Sequence, residues 1–243
     1  MELDQQDQSA KRFEAKKIVP LLVLVAGLIA FFAFDLDQYL TFEALRENRA
    51  WLLGHVENSA VLAALIFIGI YIAVVAFSLP GGAVMTITGG FLFGQVLGTL
   101  YVVFAATIGA TILFLAAKTA LGDYLRAKAG PFLRKMEEGF RENAMNYLLV
   151  LRLIPLFPFF IVNLVPAFLG VSLRVFVIAT FIGIIPGSFV YIAVGTGLGS
   201  IFDSGEEFTA SGILTPEILT ALIGLAILAI VPIIYKRIKA RKA

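Results

Sequence analysis

With 60% hydrophobic and only 15% charged residues in 243, the chain has too little polar surface to solvate a globule of its size. Its mean hydropathy of +0.94 assigns the solvating role to a bilayer. A formal net charge of +2 argues against nucleic acid as a partner, and zero cysteines with one histidine exclude disulfides, thiol chemistry and haem, so neither a cofactor nor a metal site is expected.

Lys11, Arg12, Lys16 and Lys17 crowd the N-terminal arm, residues 1–17, and the apolar run after it is predicted to be a transmembrane anchor helix over 18–34. No small-residue cleavage pattern follows Phe31-Phe32-Ala33-Phe34-Asp35, so the run reads as an anchor that stays. Residues 35–59 are acid-rich with only Arg46 and Arg49 as bases, which predicts an external amphipathic segment. His55, beside Trp51, reads as an interfacial side chain without a chemical role.

Charge then disappears. No Asp, Glu, Lys or Arg occurs between Asn58 and Ala117, and only Arg152 and Arg174 occur between Ala144 and Phe202. Each gap is too long for one crossing at about 20 residues per helical span. Each also holds breakers near its first third, Ser78-Leu79-Pro80-Gly81-Gly82 in one and Pro155-Leu156-Phe157-Pro158 in the other. Lys and Arg mark the arm, the middle loop (Lys118, Arg126, Lys128, Arg134, Lys135, Arg141) and the tail from Lys236 as cytoplasmic. Residues 200–217, with Asp203, Glu206 and Glu207, read as external.

Each apolar stretch must therefore change faces, which needs an odd number of passes. From the first breaker to Gly94 a helix rises only about 17 Å against a hydrocarbon core of about 30 Å. The spacing predicts a re-entrant hairpin over 60–94 and a full helix over 95–117. A cytoplasmic amphipathic segment follows over 118–145, and the pattern recurs from the other face as a re-entrant hairpin over 146–170 and a full helix over 172–198, kinked at Pro186. A C-terminal transmembrane helix over 218–235 and a basic tail over 236–243 complete the chain.

The expected fold is an all-α polytopic membrane protein, an inverted repeat of re-entrant hairpin plus transmembrane helix with flanking N- and C-terminal transmembrane helices. The repeat rests on topology; local matches are confined to pairs such as Phe93-Gly94 with Leu169-Gly170 and Ile108-Gly109 with Ile182-Gly183. Gly90, Gly94, Gly98, Gly170, Gly183, Pro186 and Gly187 are the expected helix-packing positions.

Arg152 falls two to three residues before the second break, several ångströms into the membrane, where an arginine costs roughly 3 kcal/mol on insertion scales. No carboxylate lies in either repeat core. Its guanidinium must find backbone carbonyls freed by Pro155 and Pro158, cavity water, or an anionic headgroup; the alternative is that it only caps its own broken helix or snorkels to the interface. Asn163 binds substrate or satisfies the hairpin backbone. Ser78, Pro80, Gly81, Gly82, Pro155 and Pro158 form the hairpin tips, with Thr86 and Thr88 beside the first.

The run Leu151-Arg152-Leu153-Ile154-Pro155-Leu156-Phe157-Pro158-Phe159, with Asn163, Gly170 and Ile185-Pro186-Gly187 downstream, resembles the VTT-domain branch of the DedA superfamily, also called SNARE-associated Golgi proteins. Leu79-Pro80-Gly81-Gly82 and Gly89-Gly90-Phe91-Leu92-Phe93-Gly94 resemble the first hairpin of that family. The resemblance covers roughly Ala60 to Gly199. It implies two opposed re-entrant hairpins and an activity in scrambling phospholipid or translocating undecaprenyl phosphate. Acidic residues that proton-dependent relatives carry in the first hairpin are missing from Ala60 to Ala117, which favours passive scrambling or a different substrate.

The reading is therefore a non-enzymatic lipid transporter of scramblase or flippase type. Arg152 and Asn163 serve as substrate-binding residues, and membrane lipids with an anionic headgroup are the partners. Self-association into a homo-oligomer is left open. An ion-coupled carrier of a small solute and a non-transporting membrane organiser are the alternatives. The basic interior loops suggest a bacterial plasma (inner) membrane with both termini cytoplasmic.

Overall fold

Proline, glycine and capping side chains cut the apolar sequence into helices. The computed structural model describes residues 2–127, 143–153, 158–204 and residue 223, and all regular structure among them is helical. In chain order these are α1 (Glu2–Ala33), a 3-10 turn (Leu36–Tyr39), α2 (Phe42–Glu47), α3 (Arg49–Asn58), α4 (Ala60–Ala76), α5 (Gly82–Ala127), α6 (143–153), α7 (Phe159–Phe168) and α8 (Leu173–Ser204). Pro155, residues 128–142 of the amphipathic segment, most of the 200–217 loop, the tail, and all but one residue of the helix expected over 218–235 lie outside the described residues.

Several boundaries differ from the sequence reading. α1 starts at Glu2, so the basic arm is a helical extension of the anchor. The helix after Gly94 runs to Ala127, past Lys118, and α8 runs to Ser204. α8 is continuous through Pro186; the proline forgoes a single bond to the carbonyl four residues back, and the turns on either side hold the helix.

α5 is two helices. Gly94 (φ 73, ψ −175) breaks it in a conformation that side chains beyond glycine rarely adopt. Residues 82–93 fold back against the start of 95–127, where a Cβ on Gly98 would strike the Gly89 carbonyl. Further along, a Cβ on Gly109 would meet the Ile72 carbonyl and Val75 at 2.7 Å, and Ala76 is buried in one cluster with Leu113 and Ala116, so α4 and residues 95–127 run side by side in the same direction. The second half repeats this order. Gly170 also has φ 73, α8 follows it, and a Cβ on Gly183 would lie 2.7 Å from Arg152 Cβ and close to Leu149 of α6. The sequence pairs Gly94 with Gly170 and Gly109 with Gly183 thus occupy matching positions.

The halves join through one core. Phe67, Tyr71, Val102, Phe114, Leu148, Phe176 and Ile192 are buried together, and Phe114 stacks on Phe176 with centroids 4.2 Å apart. Residues 82–93 cross α8 where Gly90 meets the Ile192 backbone and Gly195 meets the Ile87 carbonyl. The outer faces stay apolar: Val96, Leu100, Phe104, Ile108 and Ile112, spaced by four, are all exposed, as are Ile178, Ile182, Ile185 and Phe189 on α8. Such stripes suit hydrocarbon, not water. At the N-terminal side, a Cβ on Gly27 of α1 would collide with the Phe77 ring, and Leu40 abuts Gly81.

Not every packing glycine packs. Gly94 and Gly170 serve turns, and a Cβ added at Gly187 would meet nothing within 4 Å because this residue borders a cavity. Gly195→Val drives a side chain into backbone that cannot yield, and is expected to lower the stability of the detergent-solubilised protein by about 1–3 kcal/mol. Gly69→Ala, in open space within α4, is expected to be neutral or to stabilise by up to about 1 kcal/mol. Thermal unfolding of both variants beside the parent checks the contrast.

Candidate functional site

Arg152 lies near the end of the described part of α6, and Pro158 (φ −53, ψ 134) caps the start of α7. The return of the chain brings Asn163 of α7 and Thr180 of α8 onto the guanidinium. Nη2 donates to Asn163 Oδ1 at 2.7 Å and to Thr180 Oγ1 at 2.8 Å. Asn163 and Thr180 are 0% and 1% exposed. The Phe159 and Phe176 rings face the guanidinium at 5.6 and 5.4 Å. Behind Phe176 stands Phe114, and the Lys118 ammonium lies 5.3 Å from the Phe114 ring while donating to the Val171 carbonyl at 2.8 Å.

The magnitudes explain how a cation persists here. An intramembrane arginine costs roughly 3 kcal/mol on insertion scales; two hydrogen bonds from a charged donor contribute about 1.5–3 kcal/mol each, and each desolvated ring face about 0.5–2. The partners are thus side chains of α7 and α8, whereas the sequence reading named carbonyls freed by Pro155 and Pro158, cavity water or an anionic headgroup. Nε and Nη1 of Arg152 and Nδ2 of Asn163 remain buried without a hydrogen-bond partner among the described residues. Arg174 is exposed and apart from this group.

Arg152 borders a cavity of about 410 Å³. On one side are Leu79, Pro80, Gly81 and Gly82 from the turn after α4; on the other are Leu151, Phe159 and Val162; Ile184, Gly187, Ser188 and Tyr191 form the α8 wall. The first turn and residues flanking the second break therefore meet at one space. The first turn is held by Ser78 (φ 54) and Gly81 (φ 96), with the Leu79 amide donating to the Val74 carbonyl at 2.8 Å. Ser78 Oγ is buried and unpartnered among the described residues. Thr86 and Thr88 bond backward to the Gly82 and Val84 carbonyls at 2.8 and 2.9 Å, and Tyr71 hydroxyl pairs with Thr86 Oγ1 at 2.8 Å.

Asn163 stands behind Arg152 and holds it, rather than lining the cavity. Sequence reasoning missed Thr180, Tyr71, Phe159, Phe176, Ser188 and Tyr191. Thr180 was traceable: it lies three residues before Gly183, on the helix face that must approach α6.

Residues 79–197 match the model of the VTT domain. That span begins at the first turn and ends in α8, so it contains Arg152, Asn163, Thr180 and most of the cavity wall. The chain belongs to the VTT-domain family of membrane proteins. It is 32% identical over 171 residues to Transmembrane protein 41B of Mus musculus, covering 69% of this chain and 56% of that protein. It is 33% identical over 174 residues to the Transmembrane protein 41 homolog of Dictyostelium discoideum, covering 70% and 50%. The chain thus spans about half the length of the curated relatives it matches. No solved structure matches it. Within the described residues two helices, Gly82–Ala120 and Leu173–Leu198, are long and apolar enough to cross a membrane; together with the VTT domain they make this an integral membrane protein.

If Thr180 carries part of the guanidinium, Thr180→Val, which keeps the shape and removes the acceptor, is expected to destabilise the VTT domain by about 1–3 kcal/mol. Thr196→Val, whose hydroxyl bonds only to the Ala193 carbonyl on the exposed side, is expected to change it by less than about 0.5 kcal/mol. Paired thermal melts in detergent distinguish the two.

Proposed function

We propose that the protein moves phospholipid or polyprenyl-phosphate headgroups between leaflets, as a scramblase or flippase without enzymatic chemistry. The observation that supports this reading is Arg152: a cation with two unpartnered donors and no carboxylate hydrogen-bonded to it among the described residues, at a cavity that the first turn also lines. A phosphate provides the acceptors those donors need, and arginine is suited to such oxyanions.

In this reading the α4 unit and the α6–α7 unit are re-entrant hairpins entering from opposite faces, so that only a short polar septum separates the leaflets at the cavity. The shared direction of α4 and residues 95–127 is compatible with it for the first unit, since the start of α4 and Gly94 then lie toward one end of the long helix. Backbone left unpaired by such turns is tolerated in a membrane only where protein or a hydrated cavity covers it. The apolar stripe from Val96 to Ile112 supplies the lipid-facing wall, with acyl chains outside and headgroup inside. Cytoplasmic termini and a bacterial plasma membrane belong to the same proposal, from the Lys and Arg bias of the loops.

The test is reconstitution into liposomes carrying leaflet-reporter lipids. The parent is expected to equilibrate the leaflets well above protein-free liposomes. Arg152→Gln keeps a donor toward Asn163 and Thr180 but removes the charge, and is expected to slow transfer about tenfold or more, the worth of one charge-assisted hydrogen bond; Arg152→Lys is expected to retain part of the rate. A parent rate equal to that of empty liposomes, or equal rates in parent and Arg152→Gln, removes the proposal.

A further inference from the structure

The polar groups around the cavity are not equally committed. On the α4 side, Tyr71 and Thr86 bond to each other and Thr86 to the Gly82 carbonyl, so both protons are engaged. On α8, Thr180, Ile184, Gly187, Ser188 and Tyr191 share one helical face. Thr180 is bound to Arg152, whereas the Ser188 and Tyr191 hydroxyls line the cavity and make no hydrogen bond among the described residues. Arg152 lines the same cavity as these two hydroxyls. No Asp or Glu is among the lining residues.

These groups discriminate between headgroup chemistries. A zwitterionic headgroup brings an ammonium into a space that holds a guanidinium and no carboxylate, which costs desolvation and repulsion without a partner. A headgroup whose remainder is neutral and hydroxylated meets the Ser188 and Tyr191 hydroxyls, each able to donate and accept. The cavity, about 410 Å³, is within the range of small-molecule pockets.

We propose that Ser188 and Tyr191 form a hydroxyl subsite which, with Arg152, selects anionic headgroups bearing neutral hydroxyls, of glycerol or sugar type, over zwitterionic amine headgroups. The inference rests on the lipid-transport reading and names its substrate class.

The experiment compares transfer of acyl-chain-labelled phosphatidylglycerol and phosphatidylcholine in otherwise identical liposomes containing the full chain. The parent is expected to move the glycerol lipid several-fold faster. Ser188→Ala combined with Tyr191→Phe is expected to reduce that ratio about threefold to tenfold, the worth of one to two neutral hydrogen bonds. Because the ratio is internal to each preparation, loss of folded protein lowers both rates together and does not imitate the effect; Ser188→Ala alone, expected to reduce the ratio by about half of that range on a logarithmic scale, repeats the test with a smaller change. A parent ratio of one, or a ratio unchanged in both variants, overturns the subsite while leaving lipid transport standing. Absence of transfer for either lipid in the parent overturns the transport reading itself.

Discussion

A guanidinium held among apolar helices, with no carboxylate bonded to it among the described residues, is the constraint around which the VTT domain is arranged. It requires acceptors that are themselves buried, and these come from two different helices, Asn163 from α7 and Thr180 from α8. It requires polarisable surface on its flanks, which Phe159 and Phe176 provide. Since Phe176 is stacked against Phe114, and Phe114 lies beneath Lys118, the placement of the cation is tied to the central packing of α5 on α8. Two of its donors still lack partners among the described residues. Most buried donors in folded proteins are paired, so leaving these open is a stability cost.

The second organising feature is the recurrence of one local design. In each half a helix precedes a shorter one, a glycine at φ 73 follows, and a long helix comes next with a glycine pressed against the first helix. At the equivalent place where Val75 touches Gly109 in the first unit, the second unit puts Arg152 against Gly183. The same scaffold position is apolar in one half and cationic in the other. The chemistry is thus asymmetric on a repeated frame, which concentrates the charge on one side of a cavity that both units enclose.

Much of this was legible in the amino-acid sequence, for physical reasons that can be named. Pro80, Gly81 and Gly82 interrupt an uncharged run, and the distance from there to Gly94 is too short for a membrane crossing, so a reversal was dictated by length. Arg152 stood out because charge is expensive in apolar surroundings. What stayed hidden depends on contacts between distant segments. Thr180 looks like one more threonine in an apolar helix until folding places it 2.8 Å from Arg152. Asn163 was visible as a polar residue, but its work of holding the arginine depends on the angle at which α7 returns. Gly94 and Gly187 look alike in a small-residue pattern; one reverses the chain and the other opens a wall, a difference set by φ and by the neighbour facing each. The continuity of α8 through Pro186 likewise reflects support from flanking turns that pattern alone does not reveal.

The contacts between α1 and the first turn carry a mechanical consequence. The Phe77 ring fills the notch at Gly27, and Leu40, just beyond α1, rests on Gly81, so the turn is gripped both before and after its proline. Any excursion that widens the space beside Arg152 from that side must drag the N-terminal helix along or first pull an aromatic ring out of its socket. The position of α1 is thereby coupled to the geometry of the cavity beside Arg152.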